Sequence, residues 1–304
     1  MNSTPSKPCV VGIGEALFDV FNAGPRLGGA PLNVAVQSHR LLHKAGGEGR
    51  VISKIANDDL GKRLLERLDE EGVATSSIQR GGHAPTGRVE VEQHNDGSHT
   101  FHIAEASAWD EIEFDDSAAS LARACDAVAF GTLAQRHPHS RQAIQSFLAA
   151  APQAIKLFDV NFRTSNNKDF FDAQVVTAGC EAANLVKVND EELERACELA
   201  GVADAPEMLK RFDLRAIILT QGAKGTTALT AAGWVDGAAA SFERAEGADT
   251  VGAGDACTAG LLSALSLGHP LPKALDLANQ MGAFVANQPG ATPPLPPQLL
   301  DWLG

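Results

Sequence analysis

The sequence predicts an α/β fold, a mostly parallel sheet flanked by helices, with a small β-hairpin set beside it. The main body is predicted by alternation, because short apolar runs of strand length succeed longer amphipathic segments along most of the chain. It is predicted again by the polar residues gathered just after those runs, where open α/β sheets bind ligands. The hairpin is predicted by the one stretch that abandons this alternation for a strict period of two around an Asp-Gly turn.

The first strand is Cys9–Ile13, and the helix beginning near Pro31 uses the fixed φ of proline at a first helical position. Arg50–Ile55 follows as a strand, and Asn57-Asp58-Asp59 offers a cap to the helix starting near Leu60. Then comes the break: Thr86–Glu92 and His99–Ile103 flank Asn95-Asp96-Gly97-Ser98, and Arg88-Val89-Glu90-Val91-Glu92 alternates residue by residue. Further strands are expected at Ala127–Phe130, Ile155–Phe158, Leu185–Val188 and Ala216–Thr220, with helices beginning near Ser117, Ser140, Asp169 and Glu191. A second hairpin, Gly225–Ala231 with Gly233–Ala239, lies toward the far end of the sheet, before helical segments over Asp255–Leu265 and Lys273–Asn287. No repeat or low-complexity linker divides the chain, so residues 1–304 read as one main domain.

Composition removes several classes of function. A chain of 304 residues with 44% hydrophobic content can bury a large core, and its net charge of −13 argues against a nucleic-acid or anionic-membrane partner. The five cysteines, Cys9, Cys125, Cys180, Cys197 and Cys257, are scattered without metal or disulfide spacing and read as reduced thiols of a cytoplasmic protein. The polar start and the short apolar run after it predict neither an export signal nor a membrane span. His83, His94, His99 and His102 crowd the hairpin, where solvated strand positions explain them better than a metal does.

Chemistry gathers at Asp249-Thr250-Val251-Gly252-Ala253-Gly254-Asp255. With nothing larger than a methyl at Gly252, Ala253 and Gly254, successive amides can converge at the positive end of the helix that follows, which makes an anion site. A carboxylate at Asp255 would repel that anion unless it has a proton to take, so the stretch suggests phosphoryl transfer to a hydroxyl. A plain glycine turn, with Asp255 favouring the helix dipole, accounts for this heptapeptide equally well. Gly12-Ile13-Gly14 lacks the third glycine of a dinucleotide fingerprint, and no G-x-x-x-x-G-K-[ST], G-x-S-x-G, H-E-x-x-H or protein-kinase set is present. What remains are polar groups after strands: Glu15 and Asp19, Gly28-Gly29-Ala30-Pro31-Leu32-Asn33, Asp159-Val160-Asn161-Phe162-Arg163, Asn189 to Glu192, and Thr220 to Gly225. Each alone reads as an ordinary turn with caps. A carboxylate at Asp19 and an amide at Asn33 could together hold the hydroxyls of a sugar.

From about Val10 to Pro293, the chain resembles the ribokinase or PfkB family of carbohydrate kinases, most specifically in Gly28-Gly29-Ala30-Pro31-Leu32-Asn33-Val34-Ala35 and in Asp249–Asp255. The resemblance implies a ribokinase-like fold, with a lid formed by about residues 16–28 and 84–104 that closes over the substrate. It implies that Asp255 is the general base, and that the amides of Gly252, Ala253 and Gly254 form the anion hole. Asp19, Gly29 and Asn33 would hold the sugar, with Phe101 or Arg88 reaching it from the lid. Asn189 and Glu192 match an N-x-x-E motif that helps place Mg²⁺ and phosphate through water. Thr220, Gly222 and Gly225 match the nucleotide loop, and Asn279 would border the adenine. Arg163 or Lys224 would add positive charge, and Asp249 and Val251 mark where a monovalent cation such as K⁺ would be held by carbonyls.

The expected cofactors are therefore ATP and Mg²⁺, with K⁺ as a further candidate. The uncharged Ala30-Pro31-Leu32 and the Asp159–Arg163 stretch look most like fructokinases, so a neutral ketohexose is the expected acceptor. The rival is 2-keto-3-deoxygluconate, whose carboxylate Arg163 could pair; nucleosides rank third. A non-catalytic sugar-binding protein on the same fold is the reading from another class. Gln135-Arg136 could touch the sugar from the end of the Ala127–Phe130 strand, and the hairpin could clasp its copy in a homodimer.

Overall fold

The computed structural model describes residues 7–21, 24–93, 99–166 and 168–303. The chain opens with β1 (Cys9–Ile13), makes a two-strand excursion through β2 (Leu17–Phe21) and β3 (Gly24–Gly28), and returns through α1 (Ala30–Leu42) to β4 (Glu48–Ile55). Next come α2 (Asp59–Glu70), β5 (Ile78–Arg80) and the hairpin strands β6 (Gly87–Gln93) and β7 (His99–Ile103). The body resumes with α3 (Asp116–Ala124), β8 (Ala127–Gly131), α4 (Pro138–Ala150) and β9 (Ile155–Asp159). The short pair β10 (Thr164–Ser165) and β11 (Lys168–Asp169) follows, then α5 (Ala173–Ala182) and β12 (Leu185–Asn189). α6 (Leu193–Ala200), α7 (Ala205–Arg211), β13 (Ala216–Thr220), β14 (Thr226–Thr230) and β15 (Gly233–Asp236) lead to α8 (Ala253–Ser266), α9 (Leu271–Val285) and α10 (Pro297–Leu300).

Nine strands form one sheet in the order β15-β14-β13-β12-β9-β8-β1-β4-β5. From β5 to β13 every neighbouring pair is parallel, and β14 and β15 run antiparallel at the edge. A strand covered by helices on both faces must be apolar along its length, and all of β1 is buried for that reason. Its alternate residues serve opposite layers: Val11 joins the core with Leu121, Ile144 and Val176 of α3, α4 and α5, whereas Val10 joins the core with Leu262 and Leu277 of α8 and α9. Each such large side chain, fully buried, contributes on the order of 1.5–3 kcal/mol.

The period-two hairpin is part of a separate four-stranded sheet, β3-β2-β6-β7, in which β2 and β6 are parallel. Val89 and Val91 are buried while Arg88, Glu90 and Glu92 are exposed, as the alternation requires. Its turn, Asn95 to Ser98, and His94 lie outside the described residues, as does the start of the chain to Ser6. The excursion β2–β3 was not expected as strands, because Leu17–Phe21 and Gly24–Gly28 carry no alternation that survives the Pro25 and the glycines.

Most boundaries agree with the sequence reading, and the exceptions have local causes. The helix expected from Asp169 begins at Ala173, because Lys168–Asp169 is still paired with Thr164–Ser165 and it is Asp172 whose carboxylate accepts the Val175 amide. The helix expected from Glu191 begins at Leu193, after a turn closed by Asn189 and Glu192. At α2 the cap is Asp58, which accepts the Gly61 amide.

Candidate active site

The site starts at the first turn of α8. Gly252 stands at its N-cap with φ 77, and a Cβ there would lie 2.6 Å from Ala291, so the turn needs both the left-handed backbone and the missing side chain. Asp255 follows in the first turn, and its carboxylate accepts a hydrogen bond from Asn33 Nδ2 at 2.8 Å across 222 residues of sequence. Asn33 reaches it from the first turn of α1, whose N-cap is Gly29, where φ is 108 and an added Cβ would come within 2.4 Å of the Glu15 carbonyl. The two stretches that carried the sequence argument therefore meet at one hydrogen bond. Burial pushes the Asp255 carboxyl up; the Asn33 bond, Lys187 and Arg163 oppose that, and Asp159 adds to it. A carboxylate so placed is a better proton acceptor than one in water.

Of the expected amides, that of Ala253 turns back onto the Thr250 carbonyl at 3.3 Å. That bond is long and weak, so the Ala253 amide is only loosely engaged. Beside these amides lies a group that motif reading missed. Lys187, in the middle of β12, is buried and donates to Asp159 at 2.8 Å, and its Nζ is 3.4 Å from where a Cβ on Gly254 would stand. Burial by itself would lower Lys187, but Asp159 and, more weakly, Cys257 and Asp255 hold it up at about 12. An ammonium aimed at the positive end of a helix stabilises neither partner unless an anion comes between them. The signal in the sequence was a single lysine inside the apolar run Leu185–Val188.

These groups line one cavity of about 1000 Å³ along the carboxyl ends of the parallel strands. Asp19, Gly29, Asn33, Phe101 and Arg163 border it, as do Asn189, Glu192, Thr220, Gly222, Gly225, Asn279 and Val251 to Asp255. Asp19 is pushed up to about 6, by burial first, with Arg163 opposing and Asp255 adding. Asn189 and Glu192 close a reciprocal turn: the Glu192 amide donates to Asn189 Oδ1 at 2.8 Å, and Glu192 Oε2 accepts the Asn189 amide at 3.1 Å. The other Glu192 oxygen accepts the Phe162 amide at 2.8 Å. At the far end Asn279 donates to the Ala238 carbonyl at 3.0 Å, while its Oδ1 is buried without a partner.

Five of the residues expected near the site, Arg88, Lys224, Gln135, Arg136 and Asp249, do not line the cavity. Phe101 pairs across the hairpin with Val91 and shares its face, so it borders the cavity, whereas Arg88 is on the opposite face and pairs with Glu90. Lys224 does not line the cavity; Arg163 and Lys187 do. Gln135 and Arg136 are turned away from it, Arg136 gripping Asp110 at 2.7 Å and stacking 4.0 Å over Trp109. Asp249 lies outside the lining, its oxygens accepting the Val251 amide at 3.1 Å and the Gly290 amide at 3.3 Å with Arg26 3.5 Å away, so only Val251 of that pair borders the cavity.

Among the described residues no three His, Cys, Asp or Glu side chains converge as a metal cage. Asn189 and Glu192 at the cavity offer an amide and one carboxylate, a donor set that would fit a Mg²⁺ keeping most of its waters. No helix among the described residues is long and apolar enough to cross a membrane.

A buried proton acceptor, helix-end amides and a buried ammonium around one cavity define a phosphotransferase with an alcohol as acceptor. The comparisons with known proteins sharpen that class: residues 14–298 match the model of the pfkB family carbohydrate kinases, and the chain belongs to that family as an ATP-dependent carbohydrate kinase. It is 29% identical over 290 residues to a fructokinase of Vibrio alginolyticus, covering 91% of each chain. Among solved structures it resembles the fructokinase of Vibrio cholerae O395 in its fructose, ADP and calcium ion bound form, at 25% identity and a TM-score of 0.75, covering 94% of this chain and 95% of that one. It also resembles an uncharacterized sugar kinase from Pyrococcus horikoshii in complex with ATP, at 26% identity and a TM-score of 0.77 over 93% of both chains.

Proposed function

We propose that this carbohydrate kinase transfers the γ-phosphate of ATP to a hydroxyl of fructose, with Asp255 as the base. The observation that carries the reading is the Asn33–Asp255 hydrogen bond, which puts the base within the group of residues, Asp19, Gly29 and Asn33, suited to hold a polyol. Asp255 takes the hydroxyl proton as the oxygen attacks. The Gly252 and Gly254 amides and the Lys187 ammonium face the charge that develops on the transferred group. Asn189 and Glu192 would hold Mg²⁺ through water, and the ion would neutralise phosphate oxygens. Thr220, Gly222, Gly225 and Asn279 accommodate the nucleotide.

The small sheet is assigned as the lid, residues 16–28 and 84–104, since it carries Asp19 and Phe101 to the cavity and its closure would exclude water that otherwise hydrolyses ATP. Carbonyls near Asp249 and Val251 are the candidate monovalent-cation ligands, although Arg26 already faces the Asp249 carboxylate. Rates in potassium against a large organic cation test this assignment. All five cysteines are free and buried, which supports a reducing cytoplasm. A homodimer through the lid is the accompanying assembly, tested by light scattering.

Fructose is favoured over 2-keto-3-deoxygluconate by the surroundings of Arg163. Arg163 already faces Asp19 and Asp255, and the relative of Vibrio alginolyticus is named a fructokinase, which favours a neutral acceptor over a keto acid. A coupled ADP-release assay with fructose, 2-keto-3-deoxygluconate and nucleosides tests the function. Turnover only with the keto acid would transfer the assignment to it, and binding of sugars without ADP release would leave a sensor.

A further inference from the structure

Glu15 is the acid of this site that the mechanism does not use. It follows β1, is 4% exposed, and borders both the main cavity and a side chamber of about 10 Å³ shared with Thr132, Asp159, Asn161 and Thr258. Its Oε2 is buried and has no hydrogen-bond partner. The charged groups that act on it are Asp255 from α8 and Arg163 from the segment after β9, and the amides of Glu15 itself and of Ala30 at the start of α1 also bear on it. Asp19 of β2, Asp159 of β9, Lys187 of β12, Glu192 just before α6 and Arg244 after β15 are the other charged side chains that line the cavity. Five carboxyl groups, Glu15 among them, share the cavity with three cations, and Lys187 is already bound to Asp159.

An ionised carboxylate with one oxygen buried and unpartnered is among the costliest groups a protein can keep, whereas the neutral acid is tolerated. We propose that Glu15 works as a neutral carboxylic acid, a positioning residue that leaves Asp255 to carry the negative charge beside the incoming phosphate. The assignment rests on the kinase reading and concerns only how charge is shared within that site. Glu15 is raised to about 7, chiefly by burial with Asp255 adding, against the opposing pull of its neighbouring amides and Arg163. The free enzyme therefore holds a proton on Glu15 that is being lost as pH passes neutrality. A bound polyphosphate is one more negative charge nearby and drives that proton back on.

The test is calorimetry of an unreactive ATP analogue binding, in the presence of Mg²⁺, at about pH 7.5 in buffers of different ionisation enthalpy. Wild-type protein should take up a fraction of a proton, and Glu15→Gln, which imitates the neutral acid, should take up measurably less. Glu15→Gln should also turn over within about threefold of wild type at pH 6, and its kcat/KM for ATP should fall less above pH 7. No proton uptake by wild type overturns the proposal without reference to any variant. Equal uptake by Glu15→Gln assigns the proton elsewhere, to Asp19 first, and a tenfold or greater loss at pH 6 shows that the ionised form is needed. Both also overturn it. Proton uptake is read without turnover, so a protein that binds the nucleotide but phosphorylates no sugar fails the kinase reading while this result stands on its own.

Discussion

At one end of the cavity Glu15, Asp19, Asn33 and Asp255 are acidic or amide side chains withdrawn from water, and burial is the largest influence on each of the three acids. Elsewhere in the lining, Thr220, Gly222 and Gly225 offer a short hydroxyl and main chain after β13, with Asn279 close to Gly225. Under the proposed function, the difference lies in what each ligand demands. Proton removal requires a group whose basicity differs from its value in water, which only burial and neighbouring charge supply. A nucleotide needs shape and a few fixed donors. Substitutions in the first region should therefore change chemistry and pH dependence, and in the second mainly affinity.

The sharpest test of this contrast is Asp255→Asn. It should lower kcat by roughly 10²–10⁴-fold, the usual reach of general-base catalysis, with nucleotide affinity nearly intact. Wild-type turnover by the purified variant would remove the acid end from the chemistry. Next, Lys187→Met leaves Asp159 buried and unpaired, which should cost about 3–5 kcal/mol in urea unfolding. Adding Asp159→Leu should recover most of that stability and none of the activity; recovery of both would reduce the pair to scaffolding.

Stability should also depend on Glu15. Its carboxyl is raised in the folded protein from 4.5 to about 7, so the folded form holds its proton longer than the unfolded chain does. Stability is therefore lost as pH rises through that window, and the full penalty applies above it. Glu15→Gln should be the more stable protein at pH 8, by up to roughly 3 kcal/mol, with no advantage at pH 4. Equal melting temperatures at both pH values would contradict the shift. Asn33→Ala removes the bond that favours ionised Asp255, so the acid limb of kcat should move to higher pH with a loss of roughly tenfold to a hundredfold. The smallest effect is expected from Lys224→Ala, which lies outside the lining, with KM for ATP within about twofold of wild type.

Where the sequence was legible, the reason is local. Val89 and Val91 alternate with charged neighbours, and one face of β6 is buried accordingly. Asp58 stands before α2 and caps it. Phe101 could be told from Arg88 only once β6 and β7 were in register, since a slip of one residue would exchange their faces. Lys187 and Glu15 gave no motif, because neither has a meaning set by its chain neighbours.

The alternation of the main strands and helices, though not β2, β3, β5 or α7, and the residues that follow the main strands were determined by the sequence alone, through periodicity, caps and small residues that act within a few positions. The small sheet's parallel β2–β6 pairing, the Lys187–Asp159 ion pair and the closed-off oxygen of Glu15 were decided by the tertiary structure. Charge and burial act through space, and their partners are found only when distant segments have been folded against one another.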